Sequence, residues 1–178
     1  MPPLSAAIAV LLGLQVICTD LYARRVSNRW LLAAGVAGAM ASLLLPATST
    51  APASAAAGLA LGLVALLPFH AIGWMGAGDV KLFSILGLLL GWKPLLPLWV
   101  VASLLAGIHA LGILLARNPL AHGFINGYPA AVRAYTALHE SEWFNRMKAS
   151  RKGRNGIPYA AYLGIATLLI VFTGVSHE

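Results

Sequence analysis

The stretch LLPLWVVASLLAGIHALGILLA, residues 95–116, contains no Asp, Glu, Lys or Arg. At a rise of about 1.5 Å per residue, a helix of this length crosses the ~30 Å hydrocarbon core of a bilayer. Five further apolar runs lie at residues 3–19, 30–46, 55–74, 82–92 and 157–174. The sequence therefore predicts an all-α, polytopic membrane bundle of about six transmembrane helices.

The fourth run, 82–92, is short for a bilayer, because a helix of its length covers barely half of the hydrocarbon core. Two alternatives are open for this segment. It is re-entrant, or its helix begins earlier, around Gly78 to Lys81, inside the membrane boundary.

The composition supports a membrane protein and narrows its class. Of the 178 residues, 60% are hydrophobic and 10% are charged, which is more apolar surface than a soluble domain of this size can bury. Cys18 is the single cysteine, so disulfide frameworks and multi-cysteine zinc sites are excluded. No basic region precedes the first run, so we expect no cleaved signal peptide and a single membrane-embedded domain over 1–178.

The positions of Lys and Arg predict the orientation of the bundle. Eleven of the 12 basic residues follow the first, third or fifth run, and Lys93 is the exception. Because basic loops stay in the cytoplasm, both termini are expected outside and the loop 117–155 inside. That loop also has the apolar spacing of a surface helix at about 130–147. The basic residues thus indicate topology rather than nucleic-acid binding.

Two of the five acidic residues adjoin apolar runs at the predicted cytoplasmic face. Asp20 closes the first run and Asp79 precedes the fourth, whereas Glu140, Glu142 and Glu178 fit solvated surface positions. An ionisable group at membrane depth costs about 2.5 to 3.5 kcal/mol on insertion scales, so such groups usually mark function. The two aspartates are expected at the same level of the membrane, where they can form a pair.

Two neighbouring carboxylates have a specific use in catalysis. The two carboxylates share one proton. The ionised carboxylate acts as a base on water, while the protonated one donates a hydrogen bond to a carbonyl. Asp20 taken alone also suits a helix-end residue paired with Arg24, four positions on. Together the aspartates indicate aspartic peptidase chemistry.

The motif GAGDVK at 76–81 surrounds the second aspartate. Gly76 and Gly78 have no Cβ, so the backbone can turn sharply there and approach another chain closely. This motif resembles the signature of type IV prepilin peptidases, within the Gly-x-Gly-Asp class of intramembrane aspartic peptidases. Two more stretches resemble that family, namely DLYARRVSN at 20–28, ending in Asn28, and GIPYA at 156–160, with Pro158 and Tyr159.

The resemblance covers most of the chain and implies a function. It implies that Asp20 and Asp79 are catalytic, that the substrate is a pilin-like precursor, and that the enzyme lies in a bacterial inner membrane. Site-shaping roles follow by the same resemblance, for Gly76, Gly78, Lys81, Asn28, Pro158 and Tyr159. With one cysteine, the chain resembles the short, peptidase-only branch of Flp or Tad pilus systems, so no methyltransferase domain and no cofactor are expected.

The histidines and the membrane setting also allow other interpretations. His70 suits a structural role better than a metal site, and His109 suits an interhelical hydrogen bond. No His pair has metalloprotease spacing, so no metal is expected. Two alternatives stay open: an ion-coupled transporter, and a non-catalytic membrane component of a pilus or secretion assembly. A transporter would favour acids near the midplane rather than at one face.

Overall fold

The computed structural model describes residues 4–45, 50–116 and 157–174, and these residues form six α-helices and no strand. The helices are α1 (Leu4–Ala23), α2 (Asn28–Leu44), α3 (Pro52–Ala71), α4 (Ala77–Leu90), α5 (Leu95–Ala116) and α6 (Tyr159–Thr173). Three of them, α1, α3 and α5, are long and apolar enough to cross a membrane. The predicted all-α membrane bundle is confirmed. The surface helix expected within 117–155 lies outside the described residues.

The short helix α4 lies at the centre of this bundle. It packs against α1, α2, α3, α5 and α6, and nine of its 14 residues are buried. Leu82, Leu86 and Leu89 are completely enclosed. Because other helices surround α4, its apolar residues face protein rather than lipid, which explains why so short an apolar run belongs to the bundle.

Helix α4 runs antiparallel to α3 along its whole length. Ser84 lies beside Gly62, Gly87 beside Gly58, and Gly91 beside Ser54, close to the start of α3. The helix begins at Ala77, before the apolar run that predicted it. The early start expected as one alternative for this segment is therefore observed, and the helix lies antiparallel beside α3.

Helices α1 and α6 form the second close pair. Gly13 and Gly164 face each other, and a Cβ on Gly13 would lie 3.3 Å from the Gly164 carbonyl oxygen. Asp20, near the end of α1, contacts Ala161, near the start of α6, so this pair is also antiparallel. Small residues at such crossings let membrane helices gain van der Waals contact, which drives their association within lipid.

The two helix pairs bring three helix ends together. α1 ends, α4 begins and α6 begins at one end of the bundle. At the opposite end, the Ser5 hydroxyl lies 3.1 Å from that of Thr50, which donates a hydrogen bond to the Leu89 carbonyl oxygen at 2.5 Å. These contacts connect α1, the segment before α3, and α4, and they hold the ends of the helices in register.

The contact of Gly58 with Gly87 predicts a stability effect. A Cβ on Gly87 would overlap the Gly58 carbonyl oxygen, so Gly87→Ala must separate α3 from α4. We expect the substitution to destabilise the protein by about 1–3 kcal/mol, measured as a lower midpoint of thermal unfolding in detergent. Gly107→Ala is the control, since among the described residues no atom beyond its own stretch of helix lies within 4 Å of the added Cβ. Equal midpoints for the two variants would contradict this packing.

Candidate active site

A cavity of about 600 Å³ opens where α1 ends and where α4 and α6 begin. Both aspartates predicted from the sequence line it. So do most of the predicted site-shaping residues, namely Asn28, Gly76, Gly78, Lys81 and Tyr159. Residues that are more than 50 positions apart in the sequence therefore share one cavity at one end of the bundle.

Asp20 is held by the start of the last helix. It lies in the final turn of α1 and is 7% exposed. Its Oδ2 accepts a hydrogen bond of 3.0 Å from the backbone N–H of Ala161, in the first turn of α6. Pro158, which caps α6, provides no side-chain hydrogen bond. Asp20 therefore supplies, from another helix, the acceptor that a helix N-terminus requires. The partial positive charge of that terminus stabilises a carboxylate there.

Asp79 lies in the first turn of α4 and is half-buried. Its backbone N–H donates to the Gly76 carbonyl oxygen at 3.1 Å. The negative charge of Asp20 is one of the charges that act on Asp79. The two carboxylates thus face one cavity and interact electrostatically.

The two glycines of the 76–81 motif are each required by a different close contact. A Cβ on Gly76 would lie 3.2 Å from Oδ2 of Asp79, so a side chain there would press on the carboxylate. A Cβ on Gly78 would lie 3.3 Å from the Cβ of Val26, in the segment between α1 and α2. The two glycines therefore leave room for Asp79 and let the start of α4 approach the end of α1.

Three basic side chains line the same cavity, from Arg24, Arg25 and Lys81. Arg24 has a φ of 53°, a left-handed conformation that ends α1 directly after the turn carrying Asp20. A non-glycine residue in this region is uncommon, and such positions concentrate at functional sites. The sequence predicted that these arginines mark the topology, and that Arg24 could also pair with Asp20. Their closeness in sequence to Asp20 was the signal that could have placed them in the site.

Tyr159 connects the cavity to α5. Its hydroxyl lies 3.2 Å from the hydroxyl of Ser103, a residue that the sequence analysis did not single out. One turn further along α6, the Tyr162 hydroxyl hydrogen-bonds to Nδ1 of His109, and the two rings meet edge to face. The predicted interhelical role of His109 is confirmed. Both contacts fix the start of α6. They therefore also fix the Ala161 N–H, which donates a hydrogen bond to Asp20.

Pro158 and His70 do not line the cavity. Pro158, which directly precedes Tyr159, is buried and occupies the N-cap position of α6. Nδ1 of His70 lies 3.0 Å from the Met75 carbonyl oxygen, within the turn between α3 and α4. His70 therefore holds the turn that precedes Asp79. Within 4–45, 50–116 and 157–174, no three His, Cys, Asp or Glu side chains are grouped to hold a metal ion.

The chain matches the model of a known protein family. The model of the type IV leader peptidase family matches residues 6–111, which is more than half of the chain and includes Asp20 and Asp79. No curated protein and no solved structure matches.

The contact between Asp20 and Ala161 predicts a difference between two neutral variants. Asp20→Asn keeps an oxygen that can accept from the Ala161 N–H, whereas Asp20→Leu leaves this buried donor without its acceptor. We expect the Leu variant to be less stable than the Asn variant by about 1–3 kcal/mol, measured by thermal unfolding in detergent. If both variants unfold at the same temperature, the hydrogen bond does not support α6.

Proposed function

Because the chain belongs to the type IV leader peptidase family, we propose that it is an aspartic endopeptidase that removes the leader of a type IV pilin-like precursor. The observation that carries this proposal is that Asp20 and Asp79, from the ends of two different helices, line one cavity. A scaffold protein has no need of two acids at one membrane boundary, where each is costly.

The chemistry follows from sharing a proton between two carboxylates. The ionised carboxylate removes a proton from a water molecule, whose oxygen adds to the scissile carbonyl carbon, while the protonated carboxyl group donates to the carbonyl oxygen. The tetrahedral intermediate then collapses, the C–N bond breaks, and a proton passes to the leaving amine. The products are a free leader carboxylate and a new N-terminus on the mature protein.

The contacts of the two aspartates suggest how the roles divide. Asp20 accepts from the N-terminus of α6, and this positive end favours its ionised form. We therefore assign Asp20 as the base and Asp79 as the carboxyl group that donates to the substrate carbonyl. Asp79 suits this role because Gly76 leaves space beside its Oδ2, where a Cβ would stand 3.2 Å away.

The position of the cavity suits a substrate that is itself a membrane helix. The precursor class that the family resemblance implies has a short leader followed by an apolar helix, of Flp type in the short branch. Such a chain presents its junction at the membrane boundary, and a cavity at the ends of the helices suits a junction there. The junction must unwind there, because the peptide bonds of an intact helix are shielded from water.

We further propose that the cavity faces the cytoplasm of a bacterium and that the protein lies in its inner membrane. Arg24, Arg25 and Lys81 line the cavity, and basic residues mark the cytoplasmic side. The chain from 1 to 178 then acts as one peptidase domain. Since Cys18 is its single cysteine, it cannot form a cysteine-held zinc module of the kind associated with methyl transfer.

The catalytic proposal predicts the effect of two conservative substitutions. Asp20→Asn and Asp79→Asn remove an ionisable group but keep the size of each side chain, so each should slow leader removal by roughly 10²–10⁴-fold or more. The assay follows the size shift of a pilin-like precursor encoded near this chain, with purified enzyme in lipid nanodiscs. Glu142→Gln is the matched control and should cleave at the parent rate.

The outcomes of this assay separate the candidate functions. If both aspartate variants cleave at the parent rate, the aspartic mechanism is wrong. If the parent protein cleaves no pilin-like precursor, a membrane component without catalytic activity becomes the better description.

The orientation predicts the activity of reporter fusions. Alkaline phosphatase is active only outside the cytoplasm, so a fusion after Thr48 should be active and a fusion after Arg25 should be inactive. Both fusions are compared at equal expression in a bacterial host. The reverse result would place the cavity on the outer side of the membrane.

A further inference from the structure

An apolar groove of about 390 Å³ lies between α3 and α5. Leu61, Ala65 and Phe69 form its α3 wall, Leu96 and Trp99 form its α5 wall, and Phe83 of α4 lies between them. All the residues that line the groove are apolar or aromatic. α3 and α5 each pack against α4, and the groove is the space that this arrangement leaves between them.

The groove leads towards the catalytic cavity. Phe83 and Asp79 are four residues apart on α4, so they lie on the same face of the helix, about one turn from each other. One turn of α4 therefore separates the apolar groove from the carboxylate proposed to act on the scissile bond. The aromatic contact between Phe69 and Trp74, with ring centroids 6.4 Å apart, extends the same wall into the turn before Gly76.

The groove is open on the outer side of the described helices. Leu61 is 50% exposed and Leu96 is 68% exposed, although they lie on opposite walls. Both positions are in helices that are long and apolar enough to cross the membrane. An apolar segment in the bilayer can therefore reach the groove sideways, without passing through water or through the basic end of the bundle.

We infer that this groove receives the apolar helix of the precursor while its leader junction lies in the catalytic cavity. The inference rests on the proposed function, and it names the surface that recognises the substrate. A helix within lipid binds another helix through close van der Waals contact, which a concave apolar surface provides. A charged segment could not occupy the groove, because no polar group there would replace its hydration. The occupant is thus the part of the substrate that follows the cut.

Photo-crosslinking tests the location directly. p-Benzoylphenylalanine is introduced at Leu61, in the groove, and separately at Leu63, which does not line it. These two leucines are 50% and 44% exposed, and they lie about 200° apart around α3. With full-length precursor in nanodiscs and Asp79→Asn to prevent turnover, the Leu61 probe should form adducts that map to the apolar helix of the precursor. Equal precursor adducts from Leu63, or lipid adducts alone from Leu61, would overturn the inference.

A kinetic comparison uses the same pair of positions. Leu61→Trp should raise KM for the full-length precursor by roughly tenfold, because it removes binding that is the same in the ground and transition states. It should leave cleavage of a soluble leader-junction peptide without the apolar helix unchanged. Leu63→Trp should change neither. If Leu61→Trp weakens cleavage of the precursor and of the soluble peptide equally, the groove does not recognise the apolar helix.

Different results would refute the proposed function and the inference about the groove. If the parent enzyme cleaves the precursor but the Leu61 probe gives no precursor adduct, the groove inference fails alone. If the parent enzyme cleaves no precursor, the proposed function fails, and the groove inference fails with it.

Discussion

The close contact of α3 with α4, at Gly58 and Gly87, determines where the fourth helix lies and therefore where Asp79 lies. A side chain at either glycine would overlap backbone of the opposite helix. With hydrogen at both positions, α4 lies against α3 along its whole length, and the remaining helices enclose it. The chain can then bring a polar helix start, with its carboxylate, to the end of an otherwise apolar bundle. The cavity that Asp20 and Asp79 line depends on this packing.

The second constraint is the contact of Asp20 with the start of α6. A buried carboxylate is stable only where polar groups compensate its lost hydration, and the Ala161 N–H is one such group. The same bond completes a helix N-terminus that has no cap of its own. One interaction thus holds Asp20 in the bundle, attaches α6 to α1, and fixes the carboxylate in the cavity that Asp79 also lines. The structural role of this residue and the catalytic role that we propose for it thus depend on the same contact.

The sequence alone predicted the bundle, the two aspartates and their common end, because apolar runs and basic residues report the membrane directly. It left two alternatives open for α4, because Asp79 and Lys81 interrupt the apolar run although both are helical. It could not predict the bond between Asp20 and Ala161 or the partner of Tyr159, Ser103, because both depend on how distant helices pack. Arg24 was expected to mark the topology or to pair with Asp20, and only the packed helices show that it lines the cavity.

The central claim is that Asp20 and Asp79 act as one catalytic unit, and a double-mutant cycle on leader cleavage tests it most directly. Rates are measured with purified protein in nanodiscs for the parent, Asp20→Asn, Asp79→Asn and the double variant. If the carboxylates work as a pair, the double variant is no slower than the slower single variant, because the first substitution already removes the shared function. Losses that multiply in the double variant would contradict the account, since they would show that the two residues act independently.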